Sequence, residues 1–577
     1  MILRRECLNI IRVRTLTMDV ATIRNFALAN AIKYGGKANP GAIVGVLIAN
    51  DPSVKDQLKH LSKEIAQAVK DVNALTPEAQ LAELQKSAPE LLAPRPKEEK
   101  RHELPPLPDA IKGNVVTRIA PEPSKYMHLG HAVVALVNYL EAKRFDGKVV
   151  LRFDETNPDK STEEYLASMR DDLAWHGVTP DTVVFASDLM HQYYDAAERL
   201  IKQKDAYVCF CAQEVMRDLR FKGISCSCKD ASVEENLADW AKMKDGSHAE
   251  GKCVLRFVGD MQNPNGTLRD PVIMRIVHAP HFRHGTTYKA WPMYDFATPI
   301  AETHSHVTHL LRSAEFEQRI ELQDLLRHKL DLPPITAIQF GRINVMGATT
   351  QGREIRELVQ SGSYLGWDDP RLVTLKTLRR RGILPQALQE LVYGLGFDKG
   401  QVNLDYSIVA AINRKLIDDE TDRLFFLANP VPITISDAPA QKVELHKHPD
   451  HPERGQRILT TTDIFLLSAD DVDRVDTNGL YRLMECLNFR KDGTKYVFDS
   501  TDLETYKKDG KGIMHWLPHQ GNVSATVMMP DATLITGVVE PAVKELKPGQ
   551  RVQFERFGFC VLDRIENDTY HFWFTHK

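Results

Sequence analysis

Two imidazoles stand three residues apart in the stretch Arg118-Ile-Ala-Pro-Glu-Pro-Ser-Lys-Tyr-Met-His128-Leu-Gly130-His131. Each can donate a hydrogen bond to a phosphate oxygen as negative charge builds on it. Gly130, between them, lets the backbone approach a ligand closely. A second cluster is made of thiols. Cys209-x-Cys211 and Cys226-x-Cys228 are separated by residues 212–225, and four thiolates in two close pairs suit tetrahedral Zn²⁺. Cys7, Cys253, Cys486 and Cys560 are scattered. The cluster therefore reads as a structural metal site in a reducing compartment, not as a disulfide framework. His304-x-His306-x-x-His309 has the spacing of a metal cluster too, but the blander reading, ordinary loop histidines, is preferred there.

Imidazoles that meet a phosphate need a strand leading into a helix, and the surrounding sequence has that grammar. Val115, Val116 and Thr117 form a β-branched stretch, a Pro-rich turn follows, and a helix is expected from about Gly130 to Phe145. A second strand is expected over Lys148–Phe153. This β-turn-α-β unit opens a nucleotide-binding α/β fold, with free N–H groups of the helix N-terminus aimed at a polyphosphate. Upstream, Ile23, Phe26 and Ala27, then Leu58, Leu61, Ile65 and Val69, keep a helical period, punctuated by Gly35–Gly36 and Asn39–Pro40. Ala93–Pro108, with five prolines and the charge block Lys97–Glu103, reads as a linker. After about Leu372 the chain is helical and basic, and Lys376 with Arg379, Arg380 and Arg381 forms a local basic cluster that reads equally as a solvated helix face or as a surface for RNA phosphates. From about Leu424 short alternating segments such as Val523/Ala525/Val527 and Val552/Phe554 predict β-barrels. There Arg423, Arg551 and Arg556 interleave with Phe557, Phe559, Tyr570 and Trp573, a mixture that can stack bases but more often makes barrel core.

His128-Leu-Gly130-His131 behind Pro-Glu-Pro-Ser, followed by Leu151-Arg-Phe-Asp154-Glu155-Thr-Asn157-Pro158, resembles the HIGH signature and the RFDDTNP segment of class I glutamyl- and glutaminyl-tRNA synthetases. The resemblance continues in Ala29–Pro40, Trp291–Phe296, Thr308–Phe316, Gly366–Arg371 with Arg379–Gly382, Gln553–Gly558 and Thr575–Lys577. It is to the glutamyl enzymes of archaeal/eukaryotic type. It implies ATP with Mg²⁺ as co-substrate, held by Pro121, Glu122, Pro123, Gly130, Ser313, Arg342 and Ile343, and catalysis by His128 and His131. It implies that Arg118 and Arg312 meet the carboxylates of glutamate, that Asp154 meets its ammonium, and that Tyr294 lines the pocket. Glutaminyl relatives carry a small uncharged residue at the position of Arg312. An arginine fork pairs with a carboxylate and has no such partner in an amide; the alternative is an ion pair within the protein, for example with Glu315.

One signature is broken. The family's mobile KMSKS-type loop places a lysine on the ATP phosphates, and counting back from Gly366 puts that position on Gly352. Three accounts stand open: Arg353 supplies the charge, Lys125 supplies it from the other side, or the chain is a catalytically impaired tRNA-binding paralogue. Arg353 is taken as the expected catalytic cation.

The fold expected is multidomain α/β. Residues 18–92 form a helical extension and 93–110 a linker. Residues 111–208 and 291–345 form the halves of a Rossmann-type catalytic domain, interrupted by an acceptor-end insertion at 209–290. A KMSKS-like loop and helical stem-contact domain follows at 346–424, then anticodon-binding β-barrels at 425–577. With 43% hydrophobic and 26% charged residues, and no apolar run of the length a bilayer needs, the composition excludes a membrane span and wholesale disorder. A net charge of −4 means that a tRNA is met by local basic patches. The partners expected are glutamate, ATP and tRNA-Glu, with tRNA-Gln a second candidate acceptor; the expected protein is a cytoplasmic monomer. Residues 1–17, with Arg4, Arg5, Arg12 and Arg14 against Glu6, read as sequence upstream of a start at Met18.

Overall fold

The computed structural model describes residues 20–33, 35–50, 54–92, 104, 107–395 and 400–577, in two compact units, 1–100 and 101–577. The readings of residues 1–17, of Met18 as a start and of the Lys97–Glu103 charge block lie outside the described residues.

In the first unit, helices Val20–Lys33, Pro40–Asn50, Val54–Asn73 and Pro77–Ser87 bury Ile23, Ala27, Ile65, Val69 and Leu84 in one apolar core. The turn at Gly35–Gly36 has positive φ at both residues (71° and 93°), which glycine adopts without penalty. Asn73 closes it, accepting from Ala38 N–H at 2.7 Å and donating to its carbonyl at 3.1 Å. Pro77 sits in the first turn of its helix behind the Thr76 cap, where its missing N–H costs nothing.

The second unit is built on parallel strands. Val116–Ile119 pairs with Lys148–Phe153, which pairs with Thr182–Phe185. On the other side of the first strand, Thr308 N–H donates to the Val116 carbonyl at 2.9 Å, and this lays the parallel pair His309–Ser313 and Thr336–Phe340 alongside. The helix Leu129–Arg144 covers the first strand, with Leu129, Val133, Leu136 and Val137 buried. The chain steps outward from Val116–Ile119 on one side and returns on the other at His309–Ser313. At such a reversal, the carboxyl ends of adjacent strands diverge and leave a ligand-binding crevice. Leu104 and Leu107, within the stretch read as linker, are buried in this core.

An antiparallel sheet in the order Ala206–Cys209, Val254–Phe257, Val272–Ile276, Ala290–Pro292 stands on its own core around Tyr193, Trp240, Met243, Phe257 and Trp291. It takes in a strand ahead of the boundary read at Cys209. Beyond the helices Leu375–Arg380, Pro385–Leu395 and Tyr406–Ile417 lie two seven-stranded sheets. One has Arg423–Leu424 and Phe426–Ala428 at its two edges, and Phe425 alone lies between them in the chain. The other has Gly510–Met514 and Leu517–Pro518 at its edges, with His515 and Trp516 between them. In each sheet the two edge strands are thus neighbours in the chain, and the sheet curls towards closure. Val523, Ala525, Val527, Val552 and Phe554 face the interior, as their alternation predicts. Among the described residues no helix is long and apolar enough to cross a membrane.

Candidate active site

His128 is the N-cap of the helix Leu129–Arg144. Its Nδ1 accepts from Gly130 N–H at 3.1 Å, while Nδ1 of His131 accepts from His128 N–H at 3.3 Å. This is a capping box made by two imidazoles, and their rings stack with centroids 3.8 Å apart. Because both Nδ1 atoms accept, the ring proton of each lies on Nε2. Burial, then the charges of Lys125 and Arg342, lower the His128 pKa to about 3. Burial, His128 and Lys125 hold His131 well below the ordinary range. At neutral pH each ring is therefore a neutral Nε2–H donor. A Cβ on Gly130 would fall 3.0 Å from His128 Cε1, so the glycine is needed for the ring to fold back onto its own helix.

The turn before the helix is tied to its surroundings. The Pro121 carbonyl accepts from Asp154 N–H at 3.0 Å and the Pro123 carbonyl from Thr162 N–H at 3.1 Å. Glu122 is exposed. The Ile343 carbonyl lies 3.8 Å from the Cβ that Gly130 lacks. Ser313 Oγ is buried without a hydrogen-bond partner among the described residues. Arg342 is more than half exposed, 3.8 Å from Glu315.

The carboxyl ends of three adjacent strands bring the other expected residues together. Arg118, on the first strand, is 6% exposed; its Nε donates to Glu302 Oε1 at 3.1 Å and its Nη2 is unpartnered. Glu302 is fully buried and also accepts from Arg327. Asp154, just past the second strand, is held by the fork of buried Arg152 at 2.6 and 3.1 Å. Arg312, on the His309–Ser313 strand, is 3% exposed. It donates to Tyr294 Oη at 3.3 Å and to the Phe316 carbonyl at 3.5 Å. Gln339 accepts from its Nε at 3.2 Å in the amide orientation that also donates to the Ser313 carbonyl. Arg312 makes no ion pair with a described residue; Glu315, the alternative partner, lies instead by Arg342. Four buried guanidinium groups, those of Arg118, Arg152, Arg312 and Arg327, stand against the carboxylates of Asp154 and Glu302. Even with exposed Asp324 acting on Arg312 and Arg327, positive charge is in excess.

Glu302, Arg327 and Gln339 were not anticipated from sequence. For Glu302 there is a signal: it ends a helical run whose neighbours Phe296, Ala297, Thr298, Ile300 and Ala301 are all apolar or small, an environment that holds a carboxylate only if it is paired.

Arg353 does not take the place expected of it. It is 90% exposed and donates to Glu357 at 3.0 Å along its own helix, Gly352–Gln360. The basic cluster near Trp367 divides in two. Arg380 is bound by Asp368 and Asp563, each at 2.8 Å, and lies over the Trp573 ring. Arg381 is buried and donates to the carbonyls of Phe574 and Thr575. Arg379 pairs with Asp171 at 2.8 Å, and Lys376 lies over Tyr126. Arg380 and Arg381 thus fix the carboxy-terminal strands to the helices, held by Asp563 and by main-chain carbonyls distant in sequence, whereas Lys376 and Arg379 stay exposed. Phe559, Tyr570 and Trp573 are buried in the barrel, the blander of their two readings.

The four thiols do converge. Their sulfurs all lie within 4.8 Å of one another, with Cys209–Cys226 at 3.7 Å and Cys211–Cys228 at 3.9 Å. Tetrahedral bonds of about 2.3 Å to zinc put sulfurs roughly 3.8 Å apart, so the donor set fits the ion. Arg256, buried, donates to Cys226 and Cys209 sulfurs at 3.6 and 3.8 Å, which suits a site of net negative charge. His309 instead hydrogen-bonds the Pro108 carbonyl at 3.0 Å, and His304 lies by Gln192.

Comparison with known proteins agrees with this geometry. Residues 114–419 match the family model of the class I tRNA synthetase (E and Q) catalytic domain, and residues 421–506 and 513–563 match two anti-codon binding domains of the same group. A glutamate–tRNA ligase of Pyrococcus furiosus is 38% identical over 96% of this chain and 98% of its own. One of Methanothermobacter marburgensis is 36% identical over 96% and 99%. A solved glutamate–tRNA synthetase from Elizabethkingia anophelis covers 53% of this chain and 70% of its own, at 18% identity and a TM-score of 0.39, a likeness too slight to add to the assignment. With a matched catalytic domain over more than half its length and relatives along nearly all of it, the chain belongs to the class I tRNA synthetases of the E and Q group.

Proposed function

We propose that the chain is a glutamate–tRNA ligase. The observation that carries the choice of amino acid is Arg312, a buried guanidinium at the strand reversal that makes no ion pair with a described residue. A buried charge without a direct ion-pair partner is costly, and a side-chain carboxylate supplies what an amide does not. The excess of guanidinium groups around Arg118 and Arg312 matches a substrate with two carboxylates. Asp154, held by Arg152, faces the ammonium, and Tyr294 closes the pocket beside Arg312.

In the first step a glutamate carboxylate oxygen attacks the α-phosphorus of ATP, which enters as its magnesium complex. The bond to the bridging oxygen breaks, and pyrophosphate leaves with the electron pair. His128 and His131, as neutral Nε2–H donors, stabilise the charge on the phosphates without having to change protonation state. Pro121, Glu122, Pro123, Gly130, Ser313, Arg342 and Ile343 line the nucleotide. In the second step a terminal ribose hydroxyl of tRNA attacks the adenylate carbonyl and AMP leaves. The thiols Cys209, Cys211, Cys226 and Cys228 hold a structural zinc in the domain that meets the acceptor end, and the two barrels read the anticodon. Positioning three substrates in one crevice supplies much of the rate.

Charging of total tRNA with labelled glutamate and, in parallel, labelled glutamine tests the reading. Glutamyl-tRNA is expected. Glutaminyl-tRNA overturns the role of Arg312, and tRNA retention with no charging makes the chain a binding protein.

A further inference from the structure

Lys125 stands in the turn between the first strand and the histidine helix, and its aliphatic stem lies across the α-carbon of Gly352. A Cβ built on Gly352 would fall 2.7 Å from Lys125 Cδ, 3.3 Å from its Cβ and 3.5 Å from its Cγ. Any larger residue at 352 would have to displace the lysine. The contact is held from both sides: Arg356 Nη2 donates to the Ser124 carbonyl at 2.9 Å, and Ile355 is buried beneath the helix. The Lys125 ammonium makes no hydrogen bond or ion pair with a described residue, although the residue is half-buried. Withdrawing a cation from water without a partner costs free energy, which a bound anion returns. Its charge acts on His128 and His131, while the lysine itself is influenced first by burial, then by Glu122 and Glu315, and last by Arg342. The charge thus acts on both imidazoles, and the lysine stem lies against the first turn of the helix Gly352–Gln360, whose free N–H groups also favour an anion. The other cations nearby are occupied or exposed: Arg353 pairs with Glu357, and Arg342 lies by Glu315.

We propose that Lys125 is the cation that holds the outer phosphates of ATP and stabilises the departing pyrophosphate, and that Gly352 is the seat that makes room for it. The inference rests on the glutamate–tRNA ligase reading and adds the residue that completes its phosphate side. The lysine neither gives nor takes a proton. It donates hydrogen bonds to the oxygens that gain charge when the bond from the α-phosphorus breaks.

The test is Lys125→Met, which keeps the stem and removes the charge. In glutamate-dependent ATP–pyrophosphate exchange with tRNA present, kcat falls at least about 100-fold while KM for ATP moves only a few-fold. Transfer to tRNA from chemically supplied glutamyl-adenylate, which bypasses the phosphates, stays within about threefold. Gly352→Lys alone gives no gain, because its stem meets Lys125. The paired variant Lys125→Gly with Gly352→Lys moves the cation across the contact and recovers exchange to within about tenfold of wild type. Exchange unchanged in Lys125→Met, both steps falling together, or a pair no better than Lys125→Met each overturns the proposal, as does a 100-fold loss in Arg353→Ala. Wild-type protein that fails to transfer glutamate even from supplied adenylate overturns the ligase reading itself, and with it this role for the lysine.

Discussion

The two halves of the crevice handle charge in opposite ways. On the amino-acid side the cations are buried and locked: Arg118 on Glu302, Arg152 on Asp154, Arg312 among Tyr294, Gln339 and the Phe316 carbonyl. On the phosphate side the imidazoles are neutral and the lysine is unpaired. The difference follows the ligands. An amino acid is recognised in its ground state, and selecting a carboxylate over an amide needs charges fixed in advance. Phosphate charge rises during the reaction, and donors that wait for it contribute most in the transition state.

Replacing Arg312 with glutamine should break the amino-acid side most severely. It removes one buried charge and leaves the site with an amide. Glutamate-dependent exchange is expected to fall about 10³-fold or more, in line with about 4 kcal/mol for a desolvated charge pair. The fall should lie in KM for glutamate as well as kcat, with KM for ATP unmoved. A loss shared by ATP binding would mean that the halves are not separable.

Glu302→Gln tests the locking instead of the contact. It leaves Arg118 and Arg327 buried beside an amide, and removal of one partner of a buried pair costs about 3–5 kcal/mol. The expected result is a lowered unfolding midpoint in denaturant together with weaker glutamate binding. Stability unchanged would mean that the arginines find other acceptors.

How far these residues could be read beforehand depends on whether their partners are near in sequence. His128, Gly130, His131 and Asp154 sit in contiguous motifs whose neighbours dictate their place, and the strand over Lys148–Phe153 was legible from its β-branched run alone. Glu302 and Gln339 are chosen by tertiary contact across 184 and 27 positions, the separations from Arg118 and Arg312, and no local pattern carries that. The same blindness covers Arg380 and Arg381. A run of like charges resembles an RNA surface until Asp368, Asp563 and the carboxy-terminal carbonyls are brought to it. At Arg353 the open question is direction: adjacency to Gly352 says nothing of which side of a helix a residue occupies, and here Arg353 lies at the surface beside Glu357, one turn on.

On the phosphate side, Gly130→Ala should be smaller in effect than either change above. The methyl would press on His128 Cε1 at 3.0 Å, and the ring is the flexible party. A shift of a few tenths of an ångström in one donor is expected to cost roughly tenfold in the exchange rate, by analogy with misplaced catalytic groups, with KM for glutamate unchanged. An effect on glutamate binding would show that the histidine helix also shapes the amino-acid pocket.

The smallest effect, and the one that most sharpens the contrast, is an absence of titration. With His128 lowered to about 3 by burial first and by Lys125 and Arg342 after it, and His131 well below its ordinary value, both rings are neutral throughout the range in which the protein works. A lowered histidine pKa means that the neutral form persists down to the folded value, so no activity is gained or lost through these rings as pH rises from 5 to 8. The rate of exchange at saturating glutamate should show no inflection near 6.5 in that window. Lys125→Met should leave the absence of an inflection intact while lowering the rate, because burial is the larger cause and the lysine charge the smaller. An inflection near 6.5 in wild type would mean that the rings are wetter and more basic than their stacked, capped geometry allows, and the phosphate side would then rely on cationic imidazoles like the fixed charges opposite.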